Sequence, residues 1–149
     1  MLSLFVLLAF SAYGQTKAEK RLSRTDQAAI REAVYRHQLS YTAKSVKAVF
    51  LSFDGKALEE KLLSRLKAHN PSLKKLTEIE YRNCKVFEKR TNNRGVFYSV
   101  GEINRLNDDE VEITGSYYAG CTSAAGFIYI VKRQEEKWIV SNRTLRVAA

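Results

Sequence analysis

The C-terminal half of the chain constrains the fold most, because from Thr77 onward its apolar residues recur at every second position. This period is typical of β-strands that bury one face. The short links between the apolar segments carry Asn, Asp, Gly or Glu, which suit tight turns. Consecutive short hairpins make strands antiparallel, so the sequence predicts a meander. Four or five strands are predicted, near residues 78–88, 96–106, 110–119, 124–133 and 137–146.

Two amphipathic helices are predicted before the meander. The first covers residues 25–41, with Ser23 capping its start and the Asp26 side chain reaching back. The second covers residues 57–69, and a predicted strand over residues 46–53 separates the two helices. The predicted fold class is α+β, with two N-terminal helices packed on a curved, cone-like, mainly antiparallel sheet of four to six strands.

The first residues, MLSLFVLLAFSAYGQ, are typical of a signal peptide over residues 1–14. An apolar run is followed by Ala12 and Gly14, small residues that suit a cleavage site. The run is too short to cross a bilayer as a helix, and a buried helix is the alternative interpretation. We therefore expect an exported protein, periplasmic or extracellular. A mobile basic lead-in over residues 15–23 is predicted to precede a single α+β domain over residues 24–149.

The charge balance favours acidic partners without identifying one. Lys and Arg number 25 against 16 Asp and Glu, which gives a formal net charge of +9. Such an excess attracts anionic polymers through long-range electrostatics. The cations are scattered along the sequence, however, and a solvated basic surface explains them more simply. We expect no nucleic-acid partner and no transmembrane segment, and predicted edge strands leave room for a homodimer.

The two cysteines are predicted to stay free. In a simple meander with turns near Asn93, Asp108 and Cys121, Cys84 lies about seven residues along the strands from the tip that carries Cys121. Seven residues of strand span roughly 23 Å. A disulfide requires Cα atoms less than about 7 Å apart, so this register excludes one.

Four segments, AVYRHQL, VFLSF, LLSRLKAHNP and GSYYAGCTSAAGFIYIVKRQEEKW, together resemble a family of uncharacterised exported bacterial small proteins. The element order is similar, more distantly, to the cone-shaped nuclear-transport-factor-like and cystatin-like folds. Such cones host isomerases, dehydratases, binding modules and inert scaffolds, so fold analogy alone assigns no function. The resemblance does imply a pocket between the first helix and the concave face of the sheet. Its candidate liners are His37, Tyr41, Tyr98, Tyr117, Tyr118 and Tyr129.

Of the adjacent tyrosines, only one can face that pocket, because successive residues of a strand point to opposite faces. The period of two favours Tyr117, which is in phase with Val111 and Ile113. The predicted ligand pocket therefore consists of Tyr41, Tyr98, Tyr117 and Tyr129.

The function predicted from these residues is a non-catalytic module that binds a small ligand or a protein. An isomerase-like or dehydratase-like enzyme is the first alternative, with His37 as the general acid or base beside a pocket tyrosine. A binder of anionic polymers through the basic surface is the second. Cys121 as a nucleophile would need a neighbouring base that the sequence does not supply. We expect no cofactor, and the His and Cys residues lack the paired spacing of a metal site.

Overall fold

The computed structural model describes residues 21–148. The predicted signal peptide over residues 1–14 lies outside these residues, as does the lead-in up to residue 20, so both stay predictions. The elements in chain order are α1 (Arg24–Ser40), β1 (Ala48–Phe53), β2 (Lys56–Ala57), α2 (Glu60–Lys67), β3 (Leu73–Lys74), a 3₁₀ turn (Leu76–Glu78), β4 (Ile79–Arg82), β5 (Lys85–Glu88), β6 (Arg94–Arg105), β7 (Glu110–Gly120), β8 (Ser123–Gln134) and β9 (Lys137–Ala148).

The predicted fold class is wrong in its sheet and in the placement of its helices. One mostly antiparallel sheet of nine strands replaces the expected four to six, and α2 follows two strands instead of preceding the sheet. The main path of the sheet runs β2, β1, β6, β5, β7, β8, β9, with β3 beside β1 and β4 beside β5. The β1 strand pairs in parallel with both β3 and β6, since the chain between them contains α2.

Part of the difference comes from short strands that carry little periodicity. The two-residue strands β2 and β3 are below the length at which a pattern can be recognised. The predicted strand over residues 78–88 is a hairpin, because Asn83 and Cys84 adopt positive φ angles of 46° and 60° and reverse the chain. Asn is among the residues that tolerate this left-handed region best.

The first helix agrees with its prediction. Ser23 accepts a hydrogen bond from the Asp26 backbone N–H, and the Ser23 hydroxyl in turn donates to the Asp26 carboxylate. That carboxylate also accepts hydrogen bonds from Arg133 at 2.8 Å and from the Trp138 indole at 3.0 Å. These bonds fix the start of α1 to the hairpin between β8 and β9. The apolar side of α1 packs on one face of the sheet.

The core is divided between the two faces of the sheet. The larger cluster lies between the helices and one face, and its members include Ile30, Val34, Leu51, Val100, Val111 and Ile113. The smaller cluster, on the other face, consists of Ala48, Phe50 and Val86. Tyr117 packs against the larger cluster and Tyr118 against the smaller one. The two tyrosine side chains therefore lie on opposite faces of the sheet.

The prediction of free thiols is wrong, since Cys84 and Cys121 form a disulfide with Cα atoms 5.2 Å apart. The first hairpin of the meander turns over residues 89–92, earlier along the chain than expected. Moving a turn shifts the register of every strand that follows. As a result, Lys85 pairs with Gly120, and the turn that carries Cys84 reaches the hairpin tip that carries Cys121.

Within residues 21–148, none of the helices has the length and apolar character needed to cross a membrane.

Candidate functional site

The four tyrosines predicted to form a pocket do line one cavity, at the C-terminal end of α1. The cavity has a volume of about 240 Å³. Three further residues, which sequence reasoning missed, complete its wall: Gln38, Phe127 and Arg143. We call these seven residues the tyrosine cavity. Its walls come from α1, the residue that follows α1, and strands β6, β7, β8 and β9.

Strand register brings the aromatic rings together. Tyr98 of β6 is directly paired with Tyr117 of β7, and their ring centroids lie 6.2 Å apart. Phe127 and Tyr129 lie two residues apart on β8, so they share one face, with centroids 6.1 Å apart. Arg143 of β9 is paired with Tyr129, which places it beside the same rings.

A glycine allows α1 to approach the sheet at the inner end of the cavity. A Cβ atom at Gly115 would lie 2.8 Å from Gln38 Nε2 and 2.8 Å from Tyr129 Cε2. Real Cβ atoms do not approach other atoms this closely, so only glycine fits without displacing both side chains. The absence of a side chain at this position lets Gln38 donate from Nε2 to the Ser99 carbonyl oxygen at 3.2 Å.

Of the two polar atoms of the Gln38 side chain, only Nε2 has a hydrogen-bond partner by geometry within residues 21–148. The residue is 3% exposed, and its Oε1 atom is buried without a partner that meets hydrogen-bond geometry among the described residues. Burial raises the pKa of the neighbouring Tyr129 phenol, and the Gln38 side chain lowers that pKa by a smaller amount. A buried acceptor without a donor costs free energy, about 1–3 kcal/mol. The cavity wall therefore holds an acceptor that a ligand can satisfy.

The other tyrosine hydroxyls of the inner wall are already engaged. Tyr98 shares a hydrogen bond of 2.8 Å with Thr42, and Tyr117 shares one of 2.7 Å with Ser123. Burial raises the pKa of the Tyr98 phenol, as it does for Tyr129. These phenols are therefore protonated at neutral pH. They act as hydrogen-bonding walls and not as bases.

Arg143 lies at the mouth of the tyrosine cavity. Its guanidinium carbon is 4.2 Å from the Tyr41 ring centroid and 4.8 Å from the Phe127 ring centroid. Both distances are within the range of cation–π contacts. Tyr41 is 60% exposed, so the mouth opens to solvent beside this guanidinium. In the part of the chain that the structure describes, Arg143 has no carboxylate within ion-pair distance, so its N–H donors remain available.

Comparison with known proteins adds no relative on which to base an interpretation. No family model matches the chain, and no curated protein or solved structure is similar to it. The resemblance to exported bacterial proteins and the more distant likeness of element order therefore stay predictions. The tyrosine cavity has to be interpreted from its own residues.

His37, the candidate acid or base, lies beside the tyrosine cavity but not in its wall. Its ring is 5.2 Å from the Tyr41 ring and 5.7 Å from the Tyr129 ring, both in edge-on geometry. The Nε2 atom is buried and has no hydrogen-bond partner within residues 21–148. Burial lowers the pKa of the imidazole, and the charge of Arg143 lowers it further. The ring is therefore neutral at pH 7 and packs behind the tyrosines.

Two hollows of larger volume also border α1, and both are lined by Arg31, whose Nε atom is buried without a hydrogen-bond partner among the described residues. One, of about 630 Å³, lies between α1, α2 and the β1–β2 turn. Its one fully buried polar side chain, Tyr35, donates to the Ser52 carbonyl oxygen at 2.7 Å. The other, of about 600 Å³, is lined by no fully buried side chain. No cluster of three or more His, Cys, Asp or Glu side chains within the described residues could hold a metal ion.

Two of the wall residues that sequence reasoning missed differ in whether a sequence pattern could have identified them. Gln38 lies four residues after Val34, so the helical period already placed it on the buried face. Arg143 gave no such signal. Its pairing with Tyr129 depends on an irregularity in the β8–β9 register between Ile130 and Val131, which no local pattern announces.

Proposed function

We propose that this protein is an exported, non-catalytic binding module that holds a small planar ligand in the tyrosine cavity. The observation that carries this proposal is the Gln38 Oε1 acceptor, buried and without a partner in the wall of an aromatic cavity. Native structures leave few buried polar groups without a partner, and each one calls for an explanation such as a bound group or a water. A ligand donor at this position would remove the cost of the unpaired acceptor.

The shape and chemistry of the wall support a planar ligand. Five of the seven wall residues are aromatic, and aromatic pairs favour offset-stacked or edge-on contacts. A volume of about 240 Å³ is just below the usual range for drug-sized ligands, about 300–1,000 Å³. The ligand is therefore a compact molecule, about the size of one substituted aromatic ring.

The protonation states of the wall support binding over catalysis. A general base must be deprotonated near the operating pH and must reach the substrate. The inner tyrosines keep their protons, because burial raises the pKa of Tyr98 and of Tyr129. His37 is deprotonated at pH 7, but its ring lies outside the wall. The isomerase-like or dehydratase-like alternative therefore has no base in contact with the space that a substrate would fill.

Export is the other part of this proposal, and the disulfide supports it. Disulfides persist in oxidising compartments and are rare in the reducing cytosol. The Cys84–Cys121 bond joins two exposed turns, so reductants would reach it in the cytosol. The segment MLSLFVLLAFSAYGQ at the start of the sequence agrees with the same destination.

The adjacent residues Tyr117 and Tyr118 allow a matched test. They are neighbours on β7 and both half-buried, but only Tyr117 lines the tyrosine cavity. Isothermal titration with phenol, 4-methylphenol, indole and 4-hydroxybenzoate would measure affinity for the wild type, Tyr117→Ala and Tyr118→Ala. We expect Tyr117→Ala to weaken binding at least tenfold and Tyr118→Ala to leave it unchanged, because stacking on one ring contributes about 1–3 kcal/mol.

Three results would contradict the proposed function. The first is an equal loss of affinity in both variants, and the second is no binding of any planar probe by the wild type. The third is chemical conversion of a bound probe, detected by mass spectrometry after prolonged incubation. Conversion that disappears in His37→Gln would establish the enzymatic alternative instead.

A further inference from the structure

We infer, on the basis of the proposed function, that the ligand of the tyrosine cavity is a planar carboxylic acid with a hydrogen-bond donor at its opposite end. Two groups carry this inference: the Arg143 guanidinium at the mouth and the Gln38 amide at the inner end. Arg143 has no acidic partner among the described residues, and Gln38 Oε1 has no partner there that meets hydrogen-bond geometry. Together they specify the two ends of one molecule.

Arg143 specifies an anionic end. Its guanidinium is positioned by the Tyr41 and Phe127 rings, which contact its face and leave its edge free. The edge of a guanidinium presents paired N–H donors that match the two oxygens of a carboxylate. No Asp or Glu lies in the wall of the tyrosine cavity to compete for them. An incoming carboxylate therefore meets an oriented and unneutralised partner.

The charge of the wall favours a single negative charge on the ligand. Arg143 is the one cationic residue among the seven that line the tyrosine cavity. The neighbouring His37 is neutral at pH 7, because burial and the Arg143 charge both lower the pKa of its imidazole. A monovalent carboxylate balances one guanidinium, whereas a divalent phosphate would leave a charge without a partner. The ligand class is therefore a carboxylate.

Gln38 specifies the other end. Its Nε2 atom is already committed to the Ser99 carbonyl oxygen, which fixes the amide orientation and leaves Oε1 as an acceptor only. The Tyr129 side chain lies beside it, since one Cβ atom added at Gly115 would lie 2.8 Å from both Gln38 Nε2 and Tyr129 Cε2. A ligand hydroxyl suits both groups, because it can donate to Gln38 Oε1 and accept from the Tyr129 hydroxyl.

The planar body of the ligand would occupy the space between these ends. Tyr98, Tyr117 and Phe127 supply flat apolar surfaces there, and the hydroxyls of the two tyrosines are turned to partners of their own. A hydroxyaromatic acid such as 4-hydroxybenzoate satisfies all three requirements: the carboxylate, the ring and the distal donor. It is also compact enough for a cavity of about 240 Å³.

Isothermal titration of three probes on the whole protein tests each end separately. The probes are 4-hydroxybenzoate, benzoate, which lacks the distal donor, and 4-methylphenol, which lacks the carboxylate. We expect 4-hydroxybenzoate to bind the wild type about tenfold more tightly than either of the other two probes. The reason is that one charge-assisted or buried hydrogen bond contributes about a factor of ten in affinity.

Variants assign those preferences to residues. Arg143→Gln should abolish the preference for 4-hydroxybenzoate over 4-methylphenol, and Arg143→Lys should retain only part of it, because a lysine keeps the charge without the planar fork. Arg146→Gln, which removes the same charge from an exposed position of the same strand outside the cavity, should retain the preference in full. This control separates direct contact from the general effect of net charge.

Gln38→Met should abolish the preference for 4-hydroxybenzoate over benzoate, since methionine keeps the length of the side chain and removes its acceptor. Gln27→Met, on the same helix and outside the tyrosine cavity, is the matched control and should retain it. Urea unfolding of each variant checks that it is folded. If Gln38→Met does not fold, the comparison of benzoate with 4-hydroxybenzoate on the wild type still decides whether the distal donor is recognised.

The outcomes separate this inference from the proposed function. Equal affinity of the wild type for 4-methylphenol and 4-hydroxybenzoate would overturn the carboxylate assignment while leaving a planar binding module in place. Retention of the acid preference in Arg143→Gln would overturn it in the same way. No binding of any probe, neutral or acidic, would overturn both.

Discussion

At the scale of single residues, Gly115 determines whether the tyrosine cavity exists in the form described. It is the position at which the last turn of α1 comes closest to β7, and a Cβ atom there would collide with both Gln38 and Tyr129. Glycine in the interior of a strand often marks such a close approach. The reason for this glycine cannot be read from a local pattern, because the partner in the approach is a helical side chain 77 positions earlier.

Gly115→Ala should therefore destabilise the protein by about 1–3 kcal/mol, because an added methyl group forces the surrounding side chains or the backbone to move. Gly120→Ala is the matched control on the same strand. A Cβ atom added at Gly120 would lie 3.4 Å from the Cys84 carbonyl oxygen, which is an ordinary contact distance. We therefore expect little change in the free energy of unfolding. Urea unfolding gives both free energies. A Gly115→Ala variant as stable as Gly120→Ala would show that the close approach is not present in solution.

His37 gives the second prediction at this scale. The Tyr41 and Tyr129 rings and the Arg143 guanidinium are the groups that face its imidazole. Burial and Arg143 lower the pKa of the folded-state imidazole below its ordinary 6.5, so the unfolded state takes up a proton first as the pH falls. This contribution to stability is fully present above pH 6.5 and is lost as the pH falls through the lowered folded-state pKa.

We therefore expect His37→Gln to flatten the pH dependence of the free energy of unfolding between pH 7 and pH 5. His69→Gln, which changes the exposed histidine after α2, is the control for the loss of an imidazole. Urea unfolding at four pH values measures both, and NMR titration of His37 should give a midpoint below 6.5. A midpoint above 6.5 would contradict the burial described for this ring.

At the scale of elements, the disulfide joins the turn between β4 and β5 to the turn between β7 and β8. The β5 strand pairs with β7 through a single residue pair, Lys85 with Gly120, and the Cys84–Cys121 bond lies immediately beyond it. The bond thus continues a short ladder covalently and keeps the small β4–β5 hairpin against the meander. The prediction of free thiols was wrong because one turn was placed a few residues too late along the chain. Such an error shifts the register of every later strand by twice that number of residues, which is enough to separate two bonded cysteines.

Reduction of the disulfide should lower the free energy of unfolding by about 2–4 kcal/mol, the usual contribution of a bond that closes a loop of this length, here 37 residues. The double variant Cys84→Ser/Cys121→Ser should show the same loss and should not respond to reductant. Urea unfolding with and without reductant measures the effect. Under denaturing conditions, reduction should add two hydrogen atoms to the intact mass of the wild type, and alkylation should then replace both with alkyl groups. Alkylation of the unreduced protein would contradict the bond.

At the scale of the whole molecule, the periodicity of the sequence predicts many of the helices and strands. The pairing of strands that lie far apart along the chain cannot be predicted in this way. The meander strands after residue 94, the first helix and its Ser23 cap follow from patterns within short windows of sequence. The parallel pairing of β1 with β6 does not, because it joins segments more than forty residues apart and leaves no local signal. The same division holds for the tyrosine cavity. Alternation placed Tyr98, Tyr117 and Tyr129 on one face, whereas the position of Arg143 depends on an irregular register far from any turn.

The net charge of +9 also belongs to this scale, because it is a property of the whole surface. It raises the local concentration of any anion near the protein without selecting one. Binding of an anionic polymer stays a prediction, and it requires an affinity that falls steeply with salt. Selection of a particular anion is assigned here to one oriented guanidinium, Arg143, and not to the total charge.

Binding of a planar ligand in the tyrosine cavity can be followed at the cavity residues themselves. The experiment is NMR of the protein with carbon-13-labelled tyrosine rings during titration with 4-hydroxybenzoate. The chain contains its own controls, because Tyr35, Tyr81 and Tyr118 lie outside the cavity. We expect the resonances of Tyr41, Tyr98, Tyr117 and Tyr129 to shift together with one dissociation constant, while the resonances of the other three stay in place. Unchanged resonances for the four cavity tyrosines, or saturable shifts confined to the other three, would contradict it.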